Sequence, residues 1–497
     1  MHHKATRDAA GRADEQRPAP HDDARGEHAY IPVADELGAP EQEPPLTTGR
    51  LESLPRGSIN RQVFILALPM LGEQFGNFLV GFVDTYLAGQ VSKEATAATG
   101  TGGYMGWFVS LAFSLVGTGA AALAARSIGA GDLRTANRVL NQALVMALGL
   151  GAIVAATIYA AAGGFAALLS ATPEAHALFV QYIRIDSFGY ALYSLMLVGG
   201  GVVRAAGDTR TPMAIMLIVN LVNAAVSAAL VFWYGMGVAG IAIGTVVART
   251  LGGLLMFAVL WRGVRGLQIR TSLMRRDRQT IRRILNIGVP ASADAALIWV
   301  GQMAFIAVVA HSAAGAAATV NYATHMIAMR MEAISFLPAV AWMTAAATLV
   351  GQYLGAGRPE DASRAGHRAA LQGVLLTTAV GAAFYFFAEP IFQWMSTDEQ
   401  VRRIGPPAFR IMAFIQPALG AAIIYTGALR GAGDTKMMMY IQLLGGLVLR
   451  APGAYLFGVV LGGGLIGCWC GMWLDNLTKC VCGWSRFVHG GWKRLKV

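Results

Sequence analysis

Twelve stretches of the chain are long and apolar enough to cross a lipid bilayer as helices. A membrane-spanning helix needs about 20 predominantly apolar residues, and each stretch has at least that length between polar or Gly/Pro breaks. The pattern predicts an all-α membrane protein with twelve transmembrane helices, which we number 1 to 12 in chain order. They lie at 63–88, 100–125, 138–162, 177–203, 211–233 and 239–261, and then at 284–311, 319–350, 367–388, 404–429, 437–458 and 464–485.

Composition supports this prediction. Only 13% of the 497 residues are charged and 55% are hydrophobic, whereas soluble domains carry about 25% charged residues. A soluble enzyme, a disordered protein and a disulfide scaffold are therefore excluded. Residues 1–60 differ from the rest, because they combine clustered prolines and mixed charges with almost no aromatic residues. We expect them to form a disordered cytoplasmic tail, not a cleaved signal peptide.

The basic residues lie mainly in alternate loops. Lysine and arginine accumulate on the cytoplasmic side of membrane proteins, and a cytoplasmic N-terminus places the loops after the even-numbered helices there. The asymmetry predicts a multi-pass protein of the plasma membrane with both termini in the cytoplasm, and it explains the net charge of +11 without nucleic acid. The opposite loops contain few basic residues, namely Lys93 beside Glu94 and the adjacent pair Arg402 and Arg403. The loops after the even-numbered helices and the C-terminus contain Arg126, Arg134, Arg138, Arg204, Arg210, eight arginines in 262–283, Arg358, Arg364, Arg368, Arg430, Lys436, Lys493, Arg494 and Lys496.

The two halves of the chain repeat each other. The segment Arg-Ala-Ala-Gly-Asp-Thr at 204–209 recurs as Arg-Gly-Ala-Gly-Asp-Thr at 430–435, and Gly-Ala-Gly at 129–131 recurs at 355–357, both with a shift of 226. Six helices per half give both halves the same direction, so we predict two bundles related by a pseudo-two-fold axis along the membrane normal. The predicted domains are a bundle at 61–262, a basic cytoplasmic linker at 263–283, and a bundle with a short basic tail at 284–497.

Polar side chains inside the first six helices are candidates for a transport site. An ionisable residue at mid-membrane costs at least about 2.5–3.5 kcal/mol and usually faces protein or water. Helix 1 carries Glu73, Asn77 and Asp84 within about 40° of one another, which favours a site role over simple bonding to neighbouring helices. For the polar residues of helices 5 and 6 a site role and hydrogen bonding between helices remain equally open. These residues are Asn220, Asn223, Ser227 and Thr245.

Other charged residues fit less clearly into a site. Arg184 and Asp186 begin helix 4, where we expect an exposed ion pair near the outer surface. In the second half, the residues that could line a cavity or pair between helices are Asp294, His325, Arg330, Glu332 and Arg450. The four cysteines are interpreted as packing residues, so we predict no metal site. The sequence contains no Walker A, HExxH or GxSxG motif, which argues against an enzyme and against direct use of ATP.

Several motifs together resemble the multidrug and toxic compound extrusion (MATE) transporters, over nearly all of the chain after residue 60. They are Val-Asp-Thr-Tyr-Leu-Ala-Gly at 83–89, the Gly-Ala-Gly loops, the Arg-x-Ala-Gly-Asp-Thr loops, and Arg-Ala-Pro-Gly-Ala-Tyr at 450–455. The resemblance implies an antiporter that exports amphipathic, often cationic, compounds in exchange for H⁺ or Na⁺. We expect a monomer in the lipid bilayer with a small-molecule substrate and no cofactor.

The resemblance also implies which residues couple transport to an ion. The helix-1 acid of the family falls on Asp84, and an Asn and a Thr of one branch fall on Asn223 and Thr245, while Ser227 stands where that branch has an Asp. The acids of the sodium-type branch on helices 7 and 10 fall on Ile298 and Leu419, so that set looks absent.

Our hypothesis is that Asp84 binds the coupling ion, H⁺ in preference to Na⁺, with Asn77, Asn223, Ser227 and Thr245. One alternative is a flippase for lipid-linked precursors on a related two-lobed fold, which Arg330 and Arg450 keep open. The other alternative, a membrane-embedded enzyme, has no supporting residues.

Overall fold

A computed structural model describes residues 57–169, 172–313 and 315–495, and these residues form helices and connecting turns without a β-strand. The tail predicted at 1–60 therefore lies outside the described residues, apart from its last four. The first six helices are Ile59–Val91, Lys93–Gly129, Leu133–Leu169, the pair Pro173–Ser187 and Tyr190–Ala205, Arg210–Phe232 and Gly237–Arg262. The second six are Arg278–Ala310, Ala316–Gly355, Pro359–Phe386, Glu399–Gly431, Thr435–Val460 and Gly464–His489.

These helices match the twelve predicted stretches in order, but most of them extend further at both ends. Ten of the described helices are long and apolar enough to span a membrane, and the two parts of helix 4, bent by 57°, form an eleventh span. Helix 12 falls below that standard because Asp475, Asn476 and Lys479 interrupt its apolar sequence. Helix 11 contains two π-helical segments, Leu443–Leu449 and Tyr455–Val460.

The repeated loop motifs have a common conformational cause. Gly131 and Gly357 follow helices 2 and 8 with φ values of +76° and +68°, and Gly207 and Gly433 follow helices 4 and 10 with φ values of +84° and +85°. A residue in this left-handed region commonly ends a helix, and glycine adopts it without steric cost. The repeat therefore preserves the positions at which the chain must turn back into the membrane. We call the side of the protein on which these four loops lie the basic face.

The two bundles are joined on the side of the basic face. Helix 7 packs so closely on helix 2 that a Cβ on Gly288 would lie 1.7 Å from the Leu115 carbonyl oxygen, and the start of helix 1 packs on helix 8 in the equivalent way. The amide of Gln352 donates to the Ala205 carbonyl at 2.8 Å. Hydrogen bonds between the bundles, as far as residues 57–495 are described, all lie between the middle of the helices and this face.

The linker between the bundles is also tied to the first bundle. The side-chain amide of Asn137 on helix 3 donates to the Gly266 carbonyl at 2.8 Å, and its Oδ1 accepts from the Gln268 amide at 2.7 Å. One turn along, Gln142 donates to the carbonyls of Leu273 and Arg275 at 2.7 Å. The link is thus an ordered strap that holds the start of helix 7 against helix 3.

Candidate functional site

Asp84 lies in the second half of helix 1 and turns into the N-terminal bundle. Its Oδ1 atom is buried and accepts no hydrogen bond from the described residues. The charged groups whose field reaches it are Arg249 on helix 6 and Asp186 on helix 4. Arg249 is paired with Asp186 and not with Asp84. Asp84 is therefore a partly buried acid that has charged neighbours but no fixed counter-ion among the described residues.

Asp186 and Arg249 form a closed ion pair beside Asp84. Asp186 is 1% exposed; its Oδ1 accepts from Arg249 and its Oδ2 accepts from the Tyr190 hydroxyl at 2.8 Å. The guanidinium of Arg249 also lies over the Tyr193 ring, 4.6 Å from its centroid. The prediction of an exposed pair between Asp186 and Arg184 is wrong, because Asp186 points into the bundle, where helix 6 supplies its partner.

The polar residues of helices 5 and 6 meet in the same bundle. The Asn223 amide donates to the Thr245 hydroxyl at 3.1 Å, and that hydroxyl donates to the Ile241 carbonyl at 3.0 Å. Ser227 donates to the same carbonyl at 3.4 Å. The Oδ1 atom of Asn223 is buried and has no partner among the described residues. Thr245 thus bonds within helix 6 and Ser227 bonds from helix 5 to helix 6. The Oδ1 atom of Asn223 remains available as an acceptor.

Tyr182 connects these residues to Asp84. It is buried on helix 4, one turn before Asp186, and its hydroxyl lies beside Thr245 and within the field of Asp84. Four of the five predicted ion-coupling residues consequently lie in the interior of one bundle. The fifth, Asn77, accepts a hydrogen bond from Asn220 at 3.1 Å and lines a different space.

That space is a cavity of about 400 Å³ between the two bundles. Helices 1, 2, 4 and 5 line it from the first bundle, and helices 8 and 10 line it from the second. Its charged wall residues are Glu73, Arg204 and Arg430, and Met70, Met216 and Met343 supply adaptable apolar wall. The cavity can therefore accept an amphipathic molecule with a charged group.

Each arginine of the repeated loop motif forms an ion pair at this cavity. Sequence analysis assigned Arg204 and Arg430 to loops, but they lie in the last turns of helices 4 and 10. Arg204 donates to both carboxylate oxygens of Glu73 at 3.3 and 3.4 Å, and Arg430 is in direct contact with Asp294. Glu73 and Asp294 each stand four residues after a proline and are 221 residues apart. The ion pair is therefore itself part of the internal repeat.

A second group of buried charges lies inside the C-terminal bundle. Asp475 on helix 12 is completely buried; its Oδ2 lies 2.9 Å from Lys479 Nζ and 3.7 Å from Arg450 Nη1 on helix 11. The guanidinium of Arg450 also lies 4.8 Å from the Phe305 ring centroid on helix 7. Arg450 is therefore packed between helices 7, 11 and 12 and does not line the central cavity.

The candidates on helix 8 divide between this interior group and the surface. His325 is fully buried and accepts a hydrogen bond on Nδ1 from the Trp469 indole at 3.3 Å. Glu332 is partly buried and lies in the field of Arg450. Arg330 is exposed and contacts none of these residues. The predicted cavity candidates thus separate. Glu73 lines the cavity, Asn220 and Asp294 bond to residues that line it, Arg330 is exposed, and His325, Glu332 and Arg450 lie away from it.

Sequence reasoning missed Arg249, Asp475 and Lys479 as functional candidates. Each one interrupts an apolar run in the middle of a predicted helix, and that interruption is the signal that identifies it, because a charge at this depth requires a partner or water. Asp475 and Lys479 are also four residues apart, which places them on one face of helix 12.

Comparison with known proteins identifies the family. The MatE family model matches residues 69–229 and 290–456, one segment in each bundle. A probable multidrug resistance protein NorM of Thermotoga maritima is 28% identical over 444 residues, which cover 88% of this chain and 94% of that protein. The multidrug resistance protein MdtK of Edwardsiella ictaluri is 25% identical, over 80% of this chain and 88% of that protein.

Solved structures show the same fold. A MOP superfamily transporter from Pyrococcus furiosus superposes with a TM-score of 0.82 at 22% identity, over 88% of this chain and 98% of that chain. An outward-facing multidrug resistance MATE family transporter gives 0.82 at 22% identity, over 89% and 99%. The predicted all-α membrane fold, with twelve helices in two bundles, is confirmed. Because the family model spans both bundles, the chain belongs to the MatE family of multidrug and toxic compound extrusion transporters.

Proposed function

We propose that this protein exports amphipathic, often cationic, compounds across the plasma membrane in exchange for protons by alternating access. The names of the relatives support efflux of small molecules. The distribution of arginine supports a cytoplasmic basic face, and our proposal includes both termini on that side. In this orientation the contacts between the bundles close the cavity toward the cytoplasm.

The observation that carries the proposal is the isolation of Asp84. Of the three charged groups in this cluster, Asp186 and Arg249 neutralise each other, so a single negative charge is left over. A carboxylate withdrawn from water is costly as an ion, and binding one monovalent cation removes that cost. The cluster is therefore suited to take up and release one positive charge per transport cycle.

The arrangement favours a proton over a sodium ion. A proton needs only one acceptor atom, whereas a metal cation needs several oxygen ligands around it. Asp84 Oδ1 is a single buried acceptor without a partner among the described residues, and Arg249 already supplies positive charge to the cluster.

The cavity supports export of an organic cation more than movement of a diphosphate. Arg204 and Arg430 both reach the cavity, but Glu73 and Asp294 neutralise them. A flippase for diphosphate-linked precursors would need an excess of positive charge there. Glu73 instead offers a carboxylate to a cation that displaces Arg204, and the methionine walls suit apolar rings of different shape.

The driving force is sufficient for efflux. One elementary charge that crosses a potential of 100 mV supplies about 2.3 kcal/mol, and about 1.4 kcal/mol corresponds to a tenfold concentration ratio. A single proton could thus sustain a gradient of roughly forty- to fiftyfold for an uncharged compound. Protonation of Asp84 from outside would favour release of the compound, and binding of the compound from inside would favour release of the proton.

Transport in liposomes tests the proposal. We expect an imposed pH gradient to drive uptake of a fluorescent organic cation into vesicles that contain the protein, and an imposed sodium gradient to have no effect. Asp84→Asn should abolish proton-driven uptake, because the amide cannot exchange a proton, while the protein still elutes as a monodisperse species.

A matched control is Asp132→Asn. Asp132 is exposed and caps helix 3 through the Thr135 amide at 2.9 Å, a role that asparagine fills equally well. Unchanged uptake in this control with loss in Asp84→Asn would support the assignment. Proton-driven uptake in Asp84→Asn at the wild-type rate would refute it, and sodium-driven uptake by the wild type would replace H⁺ with Na⁺.

A further inference from the structure

A second cavity, of about 590 Å³, lies at the basic face between the start of helix 1 and the first turns of helix 9. Residues 58–60 line one side of it, and helix 9 lines the other side with Arg364, His367, Arg368 and Leu371. None of these described lining residues is acidic. The cavity shares no lining residue with the space between the bundles, so it is a separate site with basic walls.

The arginines around this cavity have positive charge to spare. Arg364 lies 3.4 Å from Asp361, but the same carboxylate is already held by Arg358 at 2.6 Å. Arg368 is exposed and has no hydrogen bond or ion pair among the described residues. Three arginines therefore share one carboxylate, and Arg368 remains available to an anion.

The face of helix 9 that carries these arginines becomes apolar toward the middle of the helix. Arg364, Arg368, Leu371 and Leu375 follow one another at intervals of four, three and four residues, which places them within about 60° of one another. Leu371 and Leu375 are both exposed. One continuous surface thus presents positive charge at the end of the helix and hydrocarbon further along it.

Helix 1 borders the apolar part of this surface. The half-exposed ring of Phe64 lies 6.3 Å from the Trp342 ring, between centroids, and the Trp342 indole donates to Gln372 of helix 9 at 3.0 Å. Gln372 in turn donates to the Asn60 carbonyl at 3.0 Å. Phe64 is therefore on the side of helix 1 that faces helix 9. A molecule with an anionic head and hydrocarbon chains matches this order of charged and apolar residues.

The equivalent face of helix 3 shows that this position in the fold is suited to docking. With the 226-residue shift, His367 corresponds to Asn141 and Arg368 to Gln142. Gln142 donates to two carbonyls of the strap at 2.7 Å and accepts from one of its amides at 3.2 Å. Asn141 also donates to one strap carbonyl and accepts from one strap amide.

The change of residue type in helix 9 changes what can dock there. An amide side chain satisfies both polar groups of a peptide backbone, whereas an arginine side chain only donates hydrogen bonds. Arg368 cannot accept from a backbone amide as Gln142 does. Guanidinium groups instead bind the oxygens of phosphate groups strongly. The second bundle therefore has an anion-binding face where the first bundle binds its own chain.

We propose that this cavity binds the headgroup of an anionic phospholipid, and that the acyl chains lie along Leu371, Leu375 and Phe64. Basic pockets between membrane helices are known to bind anionic headgroups. Ser58 and Asn60 add a hydroxyl and an amide to the cavity wall. A zwitterionic lipid is a poorer match, because no lining carboxylate meets its ammonium group. The site does not depend on the proposed coupling ion.

A lipid at this site connects the two bundles. It contacts helix 1 of the first bundle and helix 9 of the second, beside two hydrogen bonds that already hold the start of helix 1. These are the bond from Gln372 to Asn60 and the bond from the Tyr353 hydroxyl to Gln62 at 2.6 Å. A ligand that binds only the folded protein stabilises it, so lipid binding should raise the resistance to unfolding.

Lipid titration of the full chain in a neutral detergent tests the proposal. We expect phosphatidylglycerol to raise the thermal unfolding midpoint at concentrations at which phosphatidylcholine with the same acyl chains has little effect. Arg364→Gln combined with Arg368→Gln should weaken phosphatidylglycerol binding roughly twenty-five-fold, because each basic residue near a lipid surface contributes about fivefold in affinity. Asp361 keeps Arg358 as its partner in this variant.

The matched control is Arg134→Gln combined with Arg210→Gln. Both arginines are exposed at the starts of helices 3 and 5 on the same basic face, and neither lines the cavity. This variant loses the same amount of charge and should bind phosphatidylglycerol as the wild type does. An equal loss of binding in the two double variants would show that the lipid responds only to the net charge of the face, and the proposed site would be wrong.

The remaining outcomes separate the lipid from other occupants. Inorganic phosphate should not raise the unfolding midpoint, and a shift as large as that with phosphatidylglycerol would replace the lipid with a free anion. Unchanged phosphatidylglycerol binding in Arg364→Gln/Arg368→Gln would leave the cavity to another occupant, such as the chain before Ser58, and overturn the proposal. If the double variant does not fold, Arg368→Gln alone decides, with an expected loss of about fivefold.

Discussion

The two bundles have the same turns and the same contacts with each other, but their interiors carry different charged residues. Both have glycine turns at the basic face, and the first helix of each bundle packs against the other bundle. In both, an arginine at the end of the fourth helix pairs with an acid on the first helix. Inside, the N-terminal bundle holds one closed ion pair and one unpaired acid, whereas the C-terminal bundle holds a series of linked charges. The two halves therefore share the residues that form the turns and the interface between the bundles, but they differ in the charged residues inside each bundle.

The repeat shifts make the difference concrete. With the 221-residue shift, the position equivalent to Asp84 is Phe305, and the ring of Phe305 lies under Arg450. With the 226-residue shift, the position equivalent to Arg249 is Asp475, so the sixth helix of each bundle carries a charge of opposite sign at the same place. The position of Asp84 in one bundle therefore corresponds in the other bundle to an aromatic ring in contact with a cation.

The largest effect is expected from breaking the closed pair of the N-terminal bundle. Arg249→Met leaves Asp186 buried and without a counter-ion, since Tyr190 supplies only one hydrogen bond. Removal of one partner of a buried pair costs about 3–5 kcal/mol, so we expect a large fall in the thermal unfolding midpoint in detergent. The variant should also bind an additional positive charge, visible as one more proton released when substrate is added.

A double variant distinguishes charge from packing. Asp186→Asn combined with Arg249→Met removes both charges and should recover most of the lost stability, because no uncompensated ion remains. If the double variant is as unstable as Arg249→Met alone, the contacts of Arg249 with the tyrosine rings matter more than its charge, and the comparison of charge patterns between the bundles loses its basis.

A smaller effect should separate the two repeated ion pairs at the cavity. Asp294 lies against Arg430 and in the field of Lys479, so Asp294→Ala leaves Arg430 without an acid and leaves Lys479 with Asp475 alone. Glu73 meets Arg204 at 3.3–3.4 Å and has no second cation. We expect destabilisation of about 3 kcal/mol for Asp294→Ala, in the range for removal of one partner of a buried pair, and about 1 kcal/mol for Glu73→Ala, because its pair is longer and involves one cation only.

Thermal unfolding of both alanine variants in one detergent checks this order. Lys479→Met added to Asp294→Ala should return part of the stability, whereas it should not help Glu73→Ala. Equal losses for the two single variants would mean that Lys479 does not act on Asp294.

Sequence reasoning reached the fold because its determinants are local. The length of each apolar stretch, the alternation of arginine between loops and the 226-residue repeat predict the helices, their order and their division into two bundles. Helix ends were predicted less well, because the helices continue beyond the apolar residues. The bend in helix 4 and the π-helical turns of helix 11 were not predicted, because the apolar sequence continues through them without a break.

The candidate site was predictable only in part. Asp84 and Asn223 follow from motif and helical spacing, but the partner of Asp186 does not, because Arg184 is nearer in sequence and Arg249 is 63 residues away. Arg204 and Arg430 were assigned to loops by the charge distribution, yet they end helices and turn toward the cavity. Which charges meet is decided by helix packing, and this information is absent from any single helix.

The smallest expected effect concerns the linker, where the two bundles are joined. Asp277 caps helix 7 by accepting from the Gln279 and Thr280 amides at 3.0 and 3.3 Å. Burial opposes the ionised form, but the hydrogen bonds from Thr280 and Gln279 and the charge of Arg138 outweigh it and hold the pKa of Asp277 below its usual value. A lowered pKa means that the cap stabilises the folded state above the unfolded-state pKa, and that this contribution is lost as the pH falls through the folded-state pKa.

Asp277→Ala should therefore cost about 1 kcal/mol at neutral pH, as other losses of an N-terminal cap do. The variant and the wild type should converge in stability on acidification, because protonation removes the same interaction from the wild type. Unfolding midpoints of the two proteins measured between neutral and acid pH check this expectation. A difference that stayed constant down to the lowest pH would show that Asp277 acts through its shape, and that the start of helix 7 is held by the strap on helix 3 and not by its charged cap.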